Sequence, residues 1–73
     1  MSNPQFVGDV IRGLREAKRL ARLDLQRLSG VSEATIARAE LGGTITRRTA
    51  ERLGRVLGVE PERLLPSMEG GRP

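Results

Sequence analysis

The sequence predicts an all-α fold of five short helices, and three observations carry that prediction. Apolar residues recur at helical spacing: Val7, Val10, Ile11 and Leu14, then Leu25 and Leu28, then Ile36 and Ala39, then Ala50, Leu53, Val56 and Leu57. Ser or Thr stands before the first, third and fourth of these runs, an acid-Pro step stands before Leu64, and glycine follows the second, third and fourth runs, as helix caps require. The length, 73 residues, bounds the chain to one domain around one small core; such scaffolds have a net stability of about 3–5 kcal/mol.

The first helix begins after Ser2 or Asn3, either of which suits a cap, with Pro4 in the first turn where its missing N–H costs nothing. Its buried stripe is Val7, Val10, Ile11 and Leu14. Gly8 and Gly13 weaken it by about 0.5–1 kcal/mol each against Ala, so packing must hold it. Gly13 is the candidate for close approach by a neighbouring helix, with simple tolerance as the alternative. The second helix is expected from about Arg22 to Ser29, with Leu25 and Leu28 turned inward. Gly30 ends it, because only glycine enters the left-handed region without steric cost. Ser32 caps a third helix that starts at Ser32 or Glu33, buries Ile36 and Ala39, and runs to Leu41 before Gly42 and Gly43. After the connection Thr44, Ile45, Thr46, the Thr46 hydroxyl caps a fourth helix from Arg47 to Leu57, ended by Gly58. Glu60-Pro61 opens a short fifth helix through Leu65, and Pro66 stops it. Residues 1–66 are thus expected to form the domain and residues 67–73, poor in apolar side chains, a flexible C-terminal tail. Met1 suggests a natural start, and there are no internal repeats.

Composition narrows the function. The chain has no Cys and no His, which excludes disulfides, thiolate catalysis and the usual zinc sites. With no convergent acid pair either, no nucleophile and base are on offer, so neither an enzyme nor a cofactor is expected. Phe6 is the one aromatic residue, too little for a base-stacking platform on single strands. Lys and Arg number 13 against 9 acids, net charge +4, and Lys18 is the only Lys. Arg suits bidentate recognition of phosphate and guanine, although an Arg-rich solvated surface is the plain alternative for any one of them. No apolar run approaches the roughly 20 residues that span a bilayer, and the N-terminus lacks a charged-then-apolar leader, so a cytoplasmic location is expected.

Most of the functional information lies in the two short helices joined at Gly30. Arg15, Leu20, Leu25, Gly30, Val31, Ser32, Thr35, Ile36, Glu40 and Gly42 stand in order without a gap, followed by Leu53, Leu57, Gly58, Val59 and the Leu64-Leu65 pair. This series, over roughly residues 7 to 65, resembles the Cro/C1-type (phage-repressor-like, XRE) helix-turn-helix family. The resemblance implies a five-helix lambda-repressor-like fold. It also implies a sequence-specific DNA-binding transcriptional regulator, in simplest form a repressor that binds a pseudo-palindromic operator as a dimer with half-sites about one helical turn apart.

In that arrangement the outward face of the third helix enters the major groove. With Ile36 and Ala39 turned inward, the residues expected at base edges are Glu33, Ala34, Ala37 and Arg38. The fork of Arg38 matches guanine O6 and N7, against the alternative of a phosphate or solvent contact. Glu33 facing DNA needs a cytosine amino group or a neighbouring Arg, and Arg22 is the natural brace; a helix-dipole role is the alternative. Ala34 and Ala37 either touch a thymine methyl or simply favour the helix. Phosphate contacts are expected from Arg22, Ser32, Thr35, Gly43, Thr44, Arg47 and Arg48, through side chains and through N–H groups at helix ends. Arg15 and Glu40 match a family pair that ties the first helix to the third by a salt bridge, and the family places dimer contacts near Val59, Leu64 and Leu65. Two departures from the family loosen the second helix: Ala21 where a capping Thr or Ser is usual, and Gln26 where a small Ala is, so Gln26 must find a partner or bend outward. Leu23 and Leu41 fall on exposed positions. They motivate a second reading, a protein-interaction module (an antitoxin, phage regulatory factor or adaptor) that holds a protein partner.

Overall fold

Four α-helices and a terminal 3-10 turn follow one another along residues 4–65, the part of the chain that this computed structural model describes. They are α1 (Pro4–Ala17), α2 (Arg22–Ser29), α3 (Glu33–Glu40) and α4 (Arg47–Leu57), then the turn Pro61–Leu64. The expected caps at Ser2 or Asn3, the stop at Pro66 and the tail 67–73 lie outside the described residues.

The fifth helix is a correction: it is one 3-10 turn. The backbone is extended at Glu60 (ψ 146°) and again at Leu65 (ψ 142°), so only four residues lie between. That length supports the three-residue bonds from Arg63 N–H to the Glu60 carbonyl (2.9 Å) and Leu65 N–H to the Glu62 carbonyl (3.4 Å), not an α-helical ladder. Leu65 also precedes a proline, which disfavours the helical region.

The core takes Val7 and Ile11 from α1, Leu25 from α2, Val31 from the turn, Ile36 and Ala39 from α3, Ala50, Leu53 and Leu57 from α4, and Leu64. Ile11, Leu25, Ile36, Leu53 and Leu64 are sealed from solvent, each worth about 1.5–3 kcal/mol relative to exposure. Leu28 is not among them. It is 61% exposed, and the buried apolar side chain at this end of α2 is Val31. An i, i+3 step swings 60° around a helix, enough in an eight-residue element to turn the second Leu outward once the connector supplies its own apolar group.

The close helix contact falls at Gly8, not Gly13. A Cβ at Gly8 would lie 2.6 Å from the carbonyl oxygens of both Ala39 and Glu40, while one at Gly13 would meet nothing within 4 Å. Thus α1 crosses the C-terminal end of α3 with backbone against backbone, and that contact fixes where the third helix points. None of the described helices is long and apolar enough to cross a membrane.

Candidate nucleic-acid interface

The turn between α2 and α3 is held by side chains that the local sequence supplies. Gly30 adopts φ 79° and its N–H closes α2 on the Gln26 carbonyl at 2.8 Å. Ser29 Oγ donates to the Leu25 carbonyl and accepts the Val31 N–H. Ser32 Oγ accepts the Thr35 N–H at 3.2 Å and donates to Thr35 Oγ1 at 2.9 Å. Gln26 bends outward and its Oε1 accepts the Glu33 N–H at 2.7 Å, so an amide from α2 caps the first residue of α3. Helix starts leave N–H groups without partners, and here two of them are satisfied before any ligand arrives. At the start of α2, Ala21 offers no side-chain cap, but its own N–H donates to Asp24 Oδ2 at 2.9 Å.

Glu33, Ala34 and Arg38 on α3 are exposed and Ala37 is half-buried, while Ile36, Ala39 and Glu40 face the core. Among the described residues neither the Glu33 carboxylate nor the Arg38 guanidinium has an ion-pair partner. The Arg22 brace expected for Glu33 is a correction, because Arg22 Nε donates to Glu40 Oε1 at 3.1 Å. Glu40 wins since its side chain is 1% exposed and a buried carboxylate needs donors on both oxygens, whereas Glu33 is solvated. Arg15 supplies the rest, with Nε to Oε2 at 2.7 Å and Nη2 to Oε1 at 3.1 Å. A third nitrogen, Nη1, donates to the Leu20 carbonyl at 2.8 Å. Burial pushes the Glu40 carboxyl up, but the hydrogen bonds and charges of Arg15 and Arg22 outweigh it and hold it below its ordinary value. The bond to Glu40 likewise raises Arg15. One buried carboxylate on α3 thereby joins α1 and α2. No local spacing singles out Arg22 for Glu40, because Arg15 by itself already reaches both carboxylate oxygens.

The expected phosphate groups are placed unevenly. Arg48 and Thr44 are exposed, and Arg48 has no ion-pair partner among the described residues. Arg47 bonds Glu62 Oε2 at 2.7 Å and lies 3.5 Å from Glu51, which raises the Arg47 pKa and lowers that of Glu62. Thr46 Oγ1 caps α4 by accepting the Thr49 N–H at 3.1 Å. Gly43 is a correction: its N–H donates to the Arg38 carbonyl at 2.9 Å, closing the end of α3, and is not open to a phosphate. Leu64 is another, since a side chain sealed in the chain's own core cannot line a dimer contact; Val59 and Leu65 are only partly buried. Beside Val59, the residues Gly54, Gly58, Glu60 and Arg63 line a shallow pocket at the end of α4. Its floor reflects Gly54, which no local spacing singles out: a Cβ there would lie 2.5 Å from the Val59 carbonyl oxygen.

The chain resembles the structure of the restriction-modification controller protein C.AhdI from Aeromonas hydrophila at 30% identity and TM-score 0.73, over 81% of this chain and 91% of that one. It also resembles part of FeII HppE, solved with substrate, at 26% identity and TM-score 0.71, over 86% of this chain but 36% of that one. The iron and the substrate are features of that longer protein. No curated protein sequence matches. The helix-turn-helix family description of the Cro/C1 (XRE) type matches residues 11–64. With the capped turn, the outward face of α3 and this match in agreement, the chain belongs to the Cro/C1-type helix-turn-helix family of DNA-binding transcription regulators.

Proposed function

We propose that the chain is a sequence-specific repressor that binds a pseudo-palindromic operator as a dimer, with α3 in the major groove. The observation that carries this reading is the pairing of a rigidly held helix with unpaired polar groups on its outward face. Glu40, Gln26 and Ser32 hold α3, while Glu33 and Arg38 have no ion-pair partner among the described residues. Small Ala34 and Ala37 let the backbone approach the bases closely. Arg38 is the guanine-reading group, worth about 1–3 kcal/mol of discrimination. Arg48, Thr44 and the outer nitrogens of Arg22 hold phosphates, and Arg47 joins them by leaving Glu62. Ser32 and Thr35 act through hydroxyls already oriented by each other. Dimer contacts fall on Val59, Leu65 and the pocket beside them. The likeness to a restriction-modification controller protein fits a role as a DNA-binding regulator.

The exposure of Phe6, Leu23, Leu28 and Leu41 favours a second reading in which the fold holds a protein partner. Selection from a random duplex pool at near-physiological salt separates the two. The expected result is an enriched inverted repeat with half-sites about one turn apart. Weak, salt-sensitive binding without enrichment would remove the operator reading and send the search to co-purifying proteins.

A further inference from the structure

We propose that Gly43 is a specificity-determining residue: by carrying no side chain, it sets the direction in which Arg38 leaves α3. The inference rests on the reading of Arg38 as a base-contacting group. The two glycines after α3 do different things. Gly42 has φ 100° and is needed for its backbone conformation, whereas Gly43 lies outside that left-handed region. An L-residue is therefore allowed at 43 by φ, and what Gly43 supplies is space. A Cβ there would stand 2.8 Å from Arg38 Cγ and 2.9 Å from the Arg38 carbonyl oxygen. Carbon atoms in contact prefer about 3.5–4.0 Å. The Arg38 stem thus runs across Gly43, through the volume a side chain would fill.

This contact matters because the guanidinium has no ion-pair partner among the described residues, so its direction is set at the stem. A helix leaves an Arg few χ1 wells, since the one that points into the preceding turn is rare. A Cβ at 43 closes the well occupied here. A change of well swings the fork by several ångströms, and two parallel N–H bonds to guanine O6 and N7 tolerate no such displacement. Gly43 acts through Arg38 and touches no base; it is a positioning residue.

The test compares base-preference profiles, from selection on random duplexes, for wild type, Arg38→Ala, Gly43→Ala and the double variant. Arg38→Ala is expected to flatten preference at particular base pairs. Gly43→Ala should reduce preference at those same base pairs by about tenfold and leave the others unchanged. The double variant should go no further than Arg38→Ala. If Arg38→Ala leaves the profile intact, Arg38 is not the reader and the proposal falls with that role. If Arg38→Ala alters the profile but Gly43→Ala only weakens binding evenly, base reading stands and Gly43 is merely a helix end. A wild-type measurement covers the case in which Gly43→Ala fails to fold. Three-bond couplings should give a single Arg38 χ1 rotamer, with a nuclear Overhauser contact between Gly43 Hα and Arg38 Hγ. Rotamer-averaged couplings would overturn the proposal.

Discussion

Breaking the Arg15–Glu40–Arg22 cluster at different members should have unequal effects, because the partners differ in burial. The Arg15 side chain is 10% exposed and that of Glu40 1%, so Arg15→Met leaves a buried carboxylate with Arg22 alone. Removing one partner of a buried pair costs about 3–5 kcal/mol, and the remaining Arg22 puts the expected loss near the lower end. Arg22 is 39% exposed. Arg22→Gln deletes one partly solvated bond and leaves the two from Arg15, a loss of about 1 kcal/mol after solvent screening. In a domain whose whole stability is about 3–5 kcal/mol, that loss leaves about 0–2 kcal/mol, so the first variant is marginally folded at room temperature. The second unfolds cooperatively, with a melting temperature lower by about 4–8 °C. Far-UV circular dichroism is the assay, since the chain has neither Trp nor Tyr. A further arm replaces both charges, Arg15→Met with Glu40→Leu, and recovers much of the loss, because apolar groups of similar volume leave no buried charge unpaired and only the part-buried Leu20 carbonyl loses a donor. A folded Arg15→Met variant that melts with Arg22→Gln would refute the claim that this buried pair holds α1 against α3.

Acid should destabilise the domain through the same carboxylate. The Glu40 pKa is depressed from 4.5, so its contribution is full well above pH 4.5 and is lost as pH falls through the folded-state value; urea midpoints between pH 7 and pH 3 follow it, and a flat profile contradicts the assignment. The same substitution at two glycines of α1 should act with opposite signs. Gly13→Ala has open space and gains about 0.5–1 kcal/mol of helix propensity, whereas Gly8→Ala drives a methyl into two carbonyl oxygens and loses about 1–3 kcal/mol net. Equal melting temperatures for the pair would mean that α1 does not pack as closely on α3 as described. Arg19 has φ 58°, the one non-glycine residue in the left-handed region among those described. Arg19→Gly relieves that conformation and is expected to raise stability by about 1 kcal/mol; a drop in the thermal midpoint would locate a stabilising role in the Arg19 side chain.

The sequence by itself determined where α2 and α4 begin and end and where α3 begins. The bounds of α2 and α4, the caps at Ser32 and Thr46, and the stops at Gly30 and Gly58 follow from chemistry that acts within about four residues. The tertiary structure decided which neighbour each residue meets. Helical spacing marks a face but does not say what lies against it, so Leu28 turns outward while Val31 fills the core. Two glycines in one helix look alike until a second helix crosses at Gly8. Arg22 has the reach to choose between carboxylates, and the buried Glu40 takes it from the solvated Glu33 because desolvation makes donors there more valuable. Gly42 and Gly43 read as one helix stop. The backbone at Gly42, and the Arg38 stem and carbonyl lying against Gly43, separate the glycine needed for its φ from the glycine needed for its emptiness.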